Sequence, residues 1–381
     1  MIAHGALVVW LVAAGWTQPN EPPPWRHDVS GLFRSLFAVS RSYQTRERYV
    51  DSVNRLRVAA AGGRGDAFSY RIEIDSETHL GAYVSTPEFA YVRGRQQRAW
   101  LDLLHVVSDE PRAYSDLSVY RGAVSFRSAE ATLTLGRQRI AWGTARFWSP
   151  ADLFNPIDPL QVEGDVRQGV DAVQVDWASG GSPRMSMVYA PNASGRSVAA
   201  GRVGGTAGVW DLAAFAGWFR HDWVAGGEVA GQWGGAGLRG ELTYHWRGDD
   251  VSRDALRVAA GWDYAFPKLY LVAEYFYNQG QPPCGVETVC EALTAPTAEL
   301  FTRHRHFISG GARYDVTPLL EANGSIVVDV AGSSVLVYPT VRYNVSANVD
   351  VSAGGQFFVA ARGGEFDQAP ALFFARIDVH F

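Results

Sequence analysis

Polar and apolar residues alternate along most of this chain with a period of two. Leu238, Gly240, Leu242, Tyr244 and Trp246 lie on one face of a segment whose other face carries Arg239, Glu241, Thr243, His245 and Arg247. The next segment repeats the pattern, with Leu256, Val258, Ala260, Trp262 and Tyr264 opposing Arg257, Ala259, Gly261 and Asp263. Leu269, Leu271, Ala273, Tyr275 and Tyr277 then oppose Glu274 and Asn278. One such segment is a weak signal, since any half-exposed strand shows it. Repeated from residue 116 onward, with almost no helical period between, it predicts an all-β chain. The last segment is the most informative. Phe373, Ala375, Ile377, Val379 and Phe381 share one side, while Arg376, Asp378 and His380 share the other. A soluble strand would bury that apolar face against a packed layer. In a transmembrane barrel the same face meets lipid and the polar face meets a water-filled lumen.

Candidate strands fall near 54–62, 67–76, 98–107, 116–128, 130–140, 168–178, 183–190, 197–204 and 209–220. They continue through 223–233, 236–247, 254–266, 268–279, 303–315, 319–330, 334–344, 347–360 and 370–381. The connections alternate in length, which is an independent signal. Asn344–Asn348, Asp315–Pro318, Phe266–Lys268 and Gly234–Gly237 are tight, whereas Ala360–Pro370, 280–303 and Arg247–Asp254 are longer. Short periplasmic turns opposite longer outer loops are the outer-membrane arrangement. Ala331–Ser333 and Arg220–Trp223, short turns on the outer side, depart from it. Single-chain bacterial barrels use even strand numbers, so sixteen and eighteen are the expected sizes. Barrels of that size enclose an aqueous channel. The N-terminal third is less regular: Leu32–Arg41 reads as a strand or a short amphipathic helix, and 78–107 is irregular.

The apolar run Ala6–Gly15 has signal-peptide length and small residues at its end, although only His4 precedes it where a basic region is usual. The expected organisation is therefore a signal peptide over 1–16, an N-terminal mature segment over 17–50, and a single transmembrane barrel over 51–381. The final Phe381 is expected to serve as a C-terminal assembly signal for the barrel-assembly machinery.

Composition sharpens this picture. Of 381 residues, 19% are charged, below the soluble average of about 25%. Aromatics reach 13%, and many sit near strand ends, where interfacial girdles require them. A net charge of −5 gives no case for nucleic acid. Lys268 is the only lysine, so nearly all positive charge is arginine, whose planar forks suit fixed ladders inside a lumen. Cys284 and Cys290 lie in one Pro-rich connection, and a disulfide between them is expected in an oxidising envelope.

Residues 136–167 break the alternation. Pro150, Pro156 and Pro159 forbid a central strand, while Phe147, Trp148, Leu153, Phe154 and Ile157 are too apolar for a solvated loop. A long loop of this kind is usually functional or tucked inside. Turn parity places its departure on the outer side. The expectation is a loop folded back into the lumen, its aromatics on the inner wall and its charges narrowing the channel. Arg137, Arg146, Asp152, Asp158, Asp165 and Arg167 flank or belong to it and are the candidate pore residues, since rings of fixed charge govern selectivity in such pores.

Gly136-Arg137-Gln138 at a strand end, then Trp142-Gly143, then Phe147-Trp148-x-Pro150-x-Asp152-Leu153-Phe154-Asn155-Pro156 resembles a family of largely uncharacterised porin-like outer-membrane barrels. The motif spans about thirty residues, and the barrel pattern extends the similarity loosely over most of the chain. The resemblance implies a pore-forming or export-channel fold and no particular substrate.

Strict alternation after Thr132 and Thr134 puts Arg137 and Arg139 on the lipid side, where an arginine costs roughly 2–4 kcal/mol at the midplane. A bulge at Gly136 would turn Arg137 inward. A headgroup position for both arginines is the alternative. His304 and His306, at i and i+2, share a strand face but lack a visible third ligand, so a basic rim is expected there and no metal site. Ser128, Ser186, Ser309 and Ser325 have no accompanying His and Asp pattern. The whole reads as an all-β transmembrane antiparallel barrel in the bacterial outer membrane, a porin-like channel for diffusion or export of small hydrophilic solutes. It needs no cofactor and performs no catalysis. Its partners are outer-membrane lipid and lipopolysaccharide, the assembly machinery, its solutes and, for a homo-oligomer, its own copies. The alternative is a closed barrel that binds or helps assemble surface polysaccharide.

Overall fold

The computed structural model describes residues 24–96, 100–154, 162, 169–178, 184–192, 197–219, 222–246, 254–279, 302 and 304–381. The strands are β1 (Trp25–Arg41), β2 (Arg48–Arg64), β3 (Phe68–Gly81), β4 (Leu104–Glu110), β5 (Ala113–Arg127), β6 (Ala131–Gln138) and β7 (Val170–Ala178). β8 (Arg184–Ala190), β9 (Val198–Ala207), β10 (Trp210–Phe219), β11 (Asp222–Trp233), β12 (Ala236–Trp246) and β13 (Ala255–Ala265) follow. The last are β14 (Leu269–Asn278), β15 (His306–Asp315), β16 (Leu320–Asp329), β17 (Ser334–Ser346), β18 (Val349–Ala360) and β19 (Leu372–His380). A helix, α1 (Pro87–Gln96), follows a 3-10 turn after β3.

The nineteen strands of the described residues form one antiparallel sheet that closes on itself, since β1 pairs with both β2 and β19. At the seam Leu32 lies opposite His380 and Val39 opposite Phe373. Phe381 completes it by exchanging backbone hydrogen bonds of 2.6 and 3.0 Å with Gly31. Closure leaves no strand edge at this seam to recruit another chain.

The circumference holds eighteen places. On its β6-facing edge, β5 pairs with β6 through Gly122–Arg127 and with β4 through Ala113–Ser118. β4 and β6 thus share one place, and nineteen strands less one gives eighteen. This matches one of the two expected sizes with a different set of strands. Leu32–Arg41 belongs to the wall as part of β1, so the barrel begins at Trp25 and not at residue 51. The pattern there is blurred because Leu36 and Ala38 are buried on the lumen side with Phe374, while Phe33 and Phe37 face outward. Apolar residues on both faces erase the period of two. The expected signal peptide, residues 1–16, lies outside the described residues.

The wall is inverted relative to a soluble protein. Leu56, Val58, Ile72, Ile74, Leu242, Ile308 and Ile377 are exposed, whereas Arg55, Arg57, Glu73, Asp75, Glu241, Ser309 and Asp378 are buried or half-buried on the alternate face. An apolar belt of this extent is stable only against hydrocarbon. Trp177, Trp233, Phe266, Tyr314 and Tyr343 rim its inner edge, and Trp218, Trp223, Trp246 and Tyr275 its outer edge, the positions at which aromatic girdles meet headgroups.

Gly136 is not a bulge. Register runs unbroken past it on both sides, with Gly136 opposite Ala123 and Ala172. Instead Gly136 takes φ 118°, and a Cβ there would lie 2.2 Å from the Gly122 carbonyl oxygen. The irregularity sits across the wall, between Glu73 and Ile74 of β3, where the register shifts and Tyr120 is the extra residue of β5.

Candidate functional site

Where β6 ends, the chain leaves the wall for the lumen. Ile140, Trp142, Leu153 and Phe154 are buried against Ala172, Val188, Val198, Phe215, Phe219 and Val224 on the inner faces of β7–β11. The rings of Trp142 and Phe154 meet edge to face with centroids 5.1 Å apart. Residues 142–154 therefore form a lobe pinched at its base, the geometry of a compact Ω-loop. At its tip Trp148 stacks on Phe276 of β14, 5.2 Å away and 5° from parallel, and touches Phe307 of β15. The Trp148 indole N–H donates to the Ser309 hydroxyl at 3.1 Å.

Two wall carboxylates fix this lobe. Glu241 of β12 accepts the backbone N–H groups of Thr144, of Ala145 at 2.5 Å and of Ala151 at 3.0 Å, and the Ser149 hydroxyl at 2.9 Å. Glu274 of β14 accepts N–H groups from Arg146 at 2.7 Å, Phe147 at 3.2 Å and Trp148 at 2.7 Å. Both side chains are buried. A bare carboxylate so placed would be severely penalised, whereas a charge-assisted hydrogen bond contributes about 1.5–3 kcal/mol. Six loop amides that a strand ladder would have satisfied find acceptors here. Gly143, at φ 90°, makes the entry turn, and a Cβ there would lie 2.1 Å from the Ser149 hydroxyl.

The loop also touches the far side. Val162 packs near Leu36, Ala38 and Phe374, and its carbonyl accepts the Tyr338 hydroxyl of β17 at 3.4 Å. Leaving at β6 and touching β10, β12, β14, β15 and β17 before rejoining at β7, it traverses much of the lumen.

The wall β19–β1–β2–β3–β5 carries paired charges. Arg34 donates to Asp378 at 2.6 Å and Arg57 to Asp75 at 2.5 and 2.6 Å. Arg55 pairs with Glu77, and His79 bridges Asp51 and Glu77 at 2.9 and 2.8 Å. Arg57 also lies 3.4 Å over the Tyr120 ring. Above this wall α1 folds inward, Phe89 packing against Tyr114 and His79. Glu88 of α1 accepts the Gln44 N–H and the Ser42 hydroxyl, both at 2.9 Å, tying the β1–β2 loop to the helix. Burial pushes the Glu88 carboxyl up, but the amides of Gln44 and Glu88 itself and the hydroxyls of Ser42 and Thr86 outweigh it and hold it below the ordinary value.

The predicted site residues separate. Arg146 is exposed on the lobe. Asp152 is buried at its base. Arg137 is buried in the wall itself, bonded to Asp171 at 2.8 and 2.9 Å and to the carbonyls of Val119 and Leu101 at 3.0 and 2.7 Å. Leu101 returns its N–H to Asp171 at 2.9 Å. This knot lies where β6 departs and β4 takes over. Asp158, Asp165, Arg167, Cys284 and Cys290 lie outside the described residues. His304 and His306 do not act together, because a bend at 304–305 gives His304 to Asp329 and His306 to the Tyr275 hydroxyl, each at 2.7 Å. Sequence reasoning missed Glu241 and Glu274 as anchors. In the sequence each is simply an acid at an alternating position, Glu241 two residues from Arg239 and Thr243, Glu274 two residues from Val272 and Phe276.

No family model matches the chain, and no curated protein matches it. Solved structures do. The chain is similar to OccAB1 of Acinetobacter baumannii, with 10% identity and a TM-score of 0.58 over 93% of this chain and 96% of that one. OccK5 (OpdH) of Pseudomonas aeruginosa gives 10% identity and 0.58 over 93% and 97%. The outer membrane protein OpdK of Pseudomonas aeruginosa gives 9% and 0.57 over 93% and 99%. At these identities the likeness is one of fold, and it agrees with the porin-like barrel architecture expected from the sequence.

Proposed function

We propose that this chain is an outer-membrane channel through which small hydrophilic solutes diffuse, its narrowest part set by the 139–169 loop. The observation that carries this reading is the lobe fastened by Glu241 and Glu274 on the side of the lumen away from its origin. A loop that only capped the barrel would need no such anchorage. The outer-membrane setting follows from the apolar belt, the two aromatic rims and the fold shared with OpdK. Arg146 faces the passage, and with Asp158, Asp165 and Arg167 it sets the local field. Arg137 and Asp152 contribute from the wall and from the base of the lobe. Paired charges of both signs along β1–β5 favour solutes that carry polar groups over apolar ones.

Purified protein in a planar bilayer should give stepwise currents. Electrical silence, joined to retention of the protein on immobilised surface polysaccharide, would replace the channel with a closed, glycan-binding barrel.

A further inference from the structure

We propose that the outer loop between β18 and β19, residues 361–371, is a second constriction element, and that Asp329 is the latch holding it inside the mouth. The inference rests on the channel reading above. Asp329 ends β16 with its side chain fully buried. Four groups converge on its carboxylate: the Gly332 N–H at 2.8 Å, the Glu365 N–H at 3.0 Å, the Ser334 hydroxyl at 3.1 Å and the His304 ring nitrogen at 2.7 Å. They come from the β16–β17 turn, the β18–β19 loop, the start of β17 and the segment before β15. The next amide of the loop, that of Phe366, donates to the Ser334 hydroxyl at 3.3 Å.

These bonds direct the Phe366 ring inward. It is 3% exposed, lies 5.8 Å from the Phe358 ring, and belongs to the same apolar cluster as Trp148, Phe276 and Phe307. The loop therefore rests on the same aromatic platform that receives the tip of the lobe. Close approach requires two glycines. A Cβ on Gly332 would lie 2.1 Å from an Asp329 oxygen, and one on Gly364 would lie 2.6 Å from the Gly332 carbonyl oxygen. The far end of the loop is held separately, by Arg46 donating to the Gln368 carbonyl at 2.6 Å.

Asp329 repeats the device of Glu241 and Glu274, a lumen-side wall carboxylate whose charge is taken up by backbone amides of an incoming loop. Charge-assisted bonds of this kind are stronger and more directional than neutral ones. They convert a loop with one buried ring into a fixed obstacle.

The test uses the full-length protein and its Asp329→Asn and Phe366→Ala variants. Single-channel conductance is read beside trypsin cleavage at Arg362, an exposed residue of the loop. Unboiled gel mobility reports the folded barrel. Asparagine places an amide donor among N–H donors, so Asp329→Asn should hasten cleavage at Arg362 and raise conductance roughly twofold, as widening a constriction does. Phe366→Ala removes the ring without touching the carboxylate and should also raise conductance. If Asp329→Asn hastens cleavage while conductance stays at the parent value, the loop is no constriction. Unchanged cleavage would show that Asp329 is no latch. If Asp329→Asn does not fold, an unchanged conductance in Phe366→Ala overturns the proposal alone. A silent parent protein would instead defeat the channel reading.

Discussion

The carboxylate of Glu274 receives the backbone N–H of Trp148 at 2.7 Å, joining β14 to a loop that left the wall at β6. Replacing Glu274 with glutamine keeps the size of the side chain and removes its charge. Each charged hydrogen bond lost costs about 1.5–3 kcal/mol less the neutral bond that replaces it. The lobe should loosen, and single-channel records should show larger and noisier steps. Glu241→Gln should act in the same direction, and the double variant should exceed either. Currents indistinguishable from the parent would remove both residues from the role of anchor.

Arg146 stands exposed on the lobe while its backbone is held by Glu274. Its reversal to glutamate should shift permeability toward cations without altering the barrel. The measurement is the reversal potential across a salt gradient. An unmoved reversal potential would place the selectivity-setting charge elsewhere.

Arg137 and Asp171 form a buried ion pair, each side chain 3% exposed. Breaking such a pair by removing one partner costs about 3–5 kcal/mol. Arg137→Met should therefore lower the urea midpoint of the folded barrel, followed by the shift between folded and unfolded gel mobility. Arg137→Met with Asp171→Leu should recover part of the loss, because no charge is then left unpaired.

Gly136→Ala tests the correction to the expected bulge. The substitution forces a side chain into φ 118° and against a backbone oxygen. Strain of this type costs about 1–3 kcal/mol, and the variant should refold from urea with reduced yield. Refolding at the parent yield would show that the position stores no such strain.

Glu88 gives a pH dependence. Its carboxyl is held below its ordinary value of 4.5, so the folded helix binds the proton less readily than the unfolded chain does. The contribution of this tie is complete above that value and fades as the pH falls through the lowered one. Acidification should free the β1–β2 loop, visible as rising mobility of a spin label carried at the exposed Thr45 and read at each pH, relative to Glu88→Gln, which should show no such step.

The barrel was legible because its alternation rests on a simple contrast between lipid and lumen, as Leu242 against Glu241 illustrates. It failed at β1, where Leu36 and Ala38 pack beneath an inward loop and make the inner face as apolar as the outer. The same cause operates at Phe215 and Phe219, which face inward under Trp142 and Phe154. The inward loop itself could be anticipated from Trp148 and Pro150 interrupting the strand pattern. Its anchors could not, because Glu241 and Glu274 are ordinary polar-face residues until the loop amides are placed around them. Arg137 was found for its charge, yet its partners Leu101 and Val119 are distant in sequence and meet it through backbone groups alone.

The shared place of β4 and β6 ties two distant stretches of chain to one another. A polypeptide that diverts a rib of its palisade into the passage must bring another rib to cover the gap, or ions would leak through the bilayer beside the protein. The strand that does so is β4, whose Leu104–Glu110 pairs with the part of β5 that β6 leaves uncovered. Trimming β4 would therefore harm the insulation of the membrane before it harmed the passage of any solute.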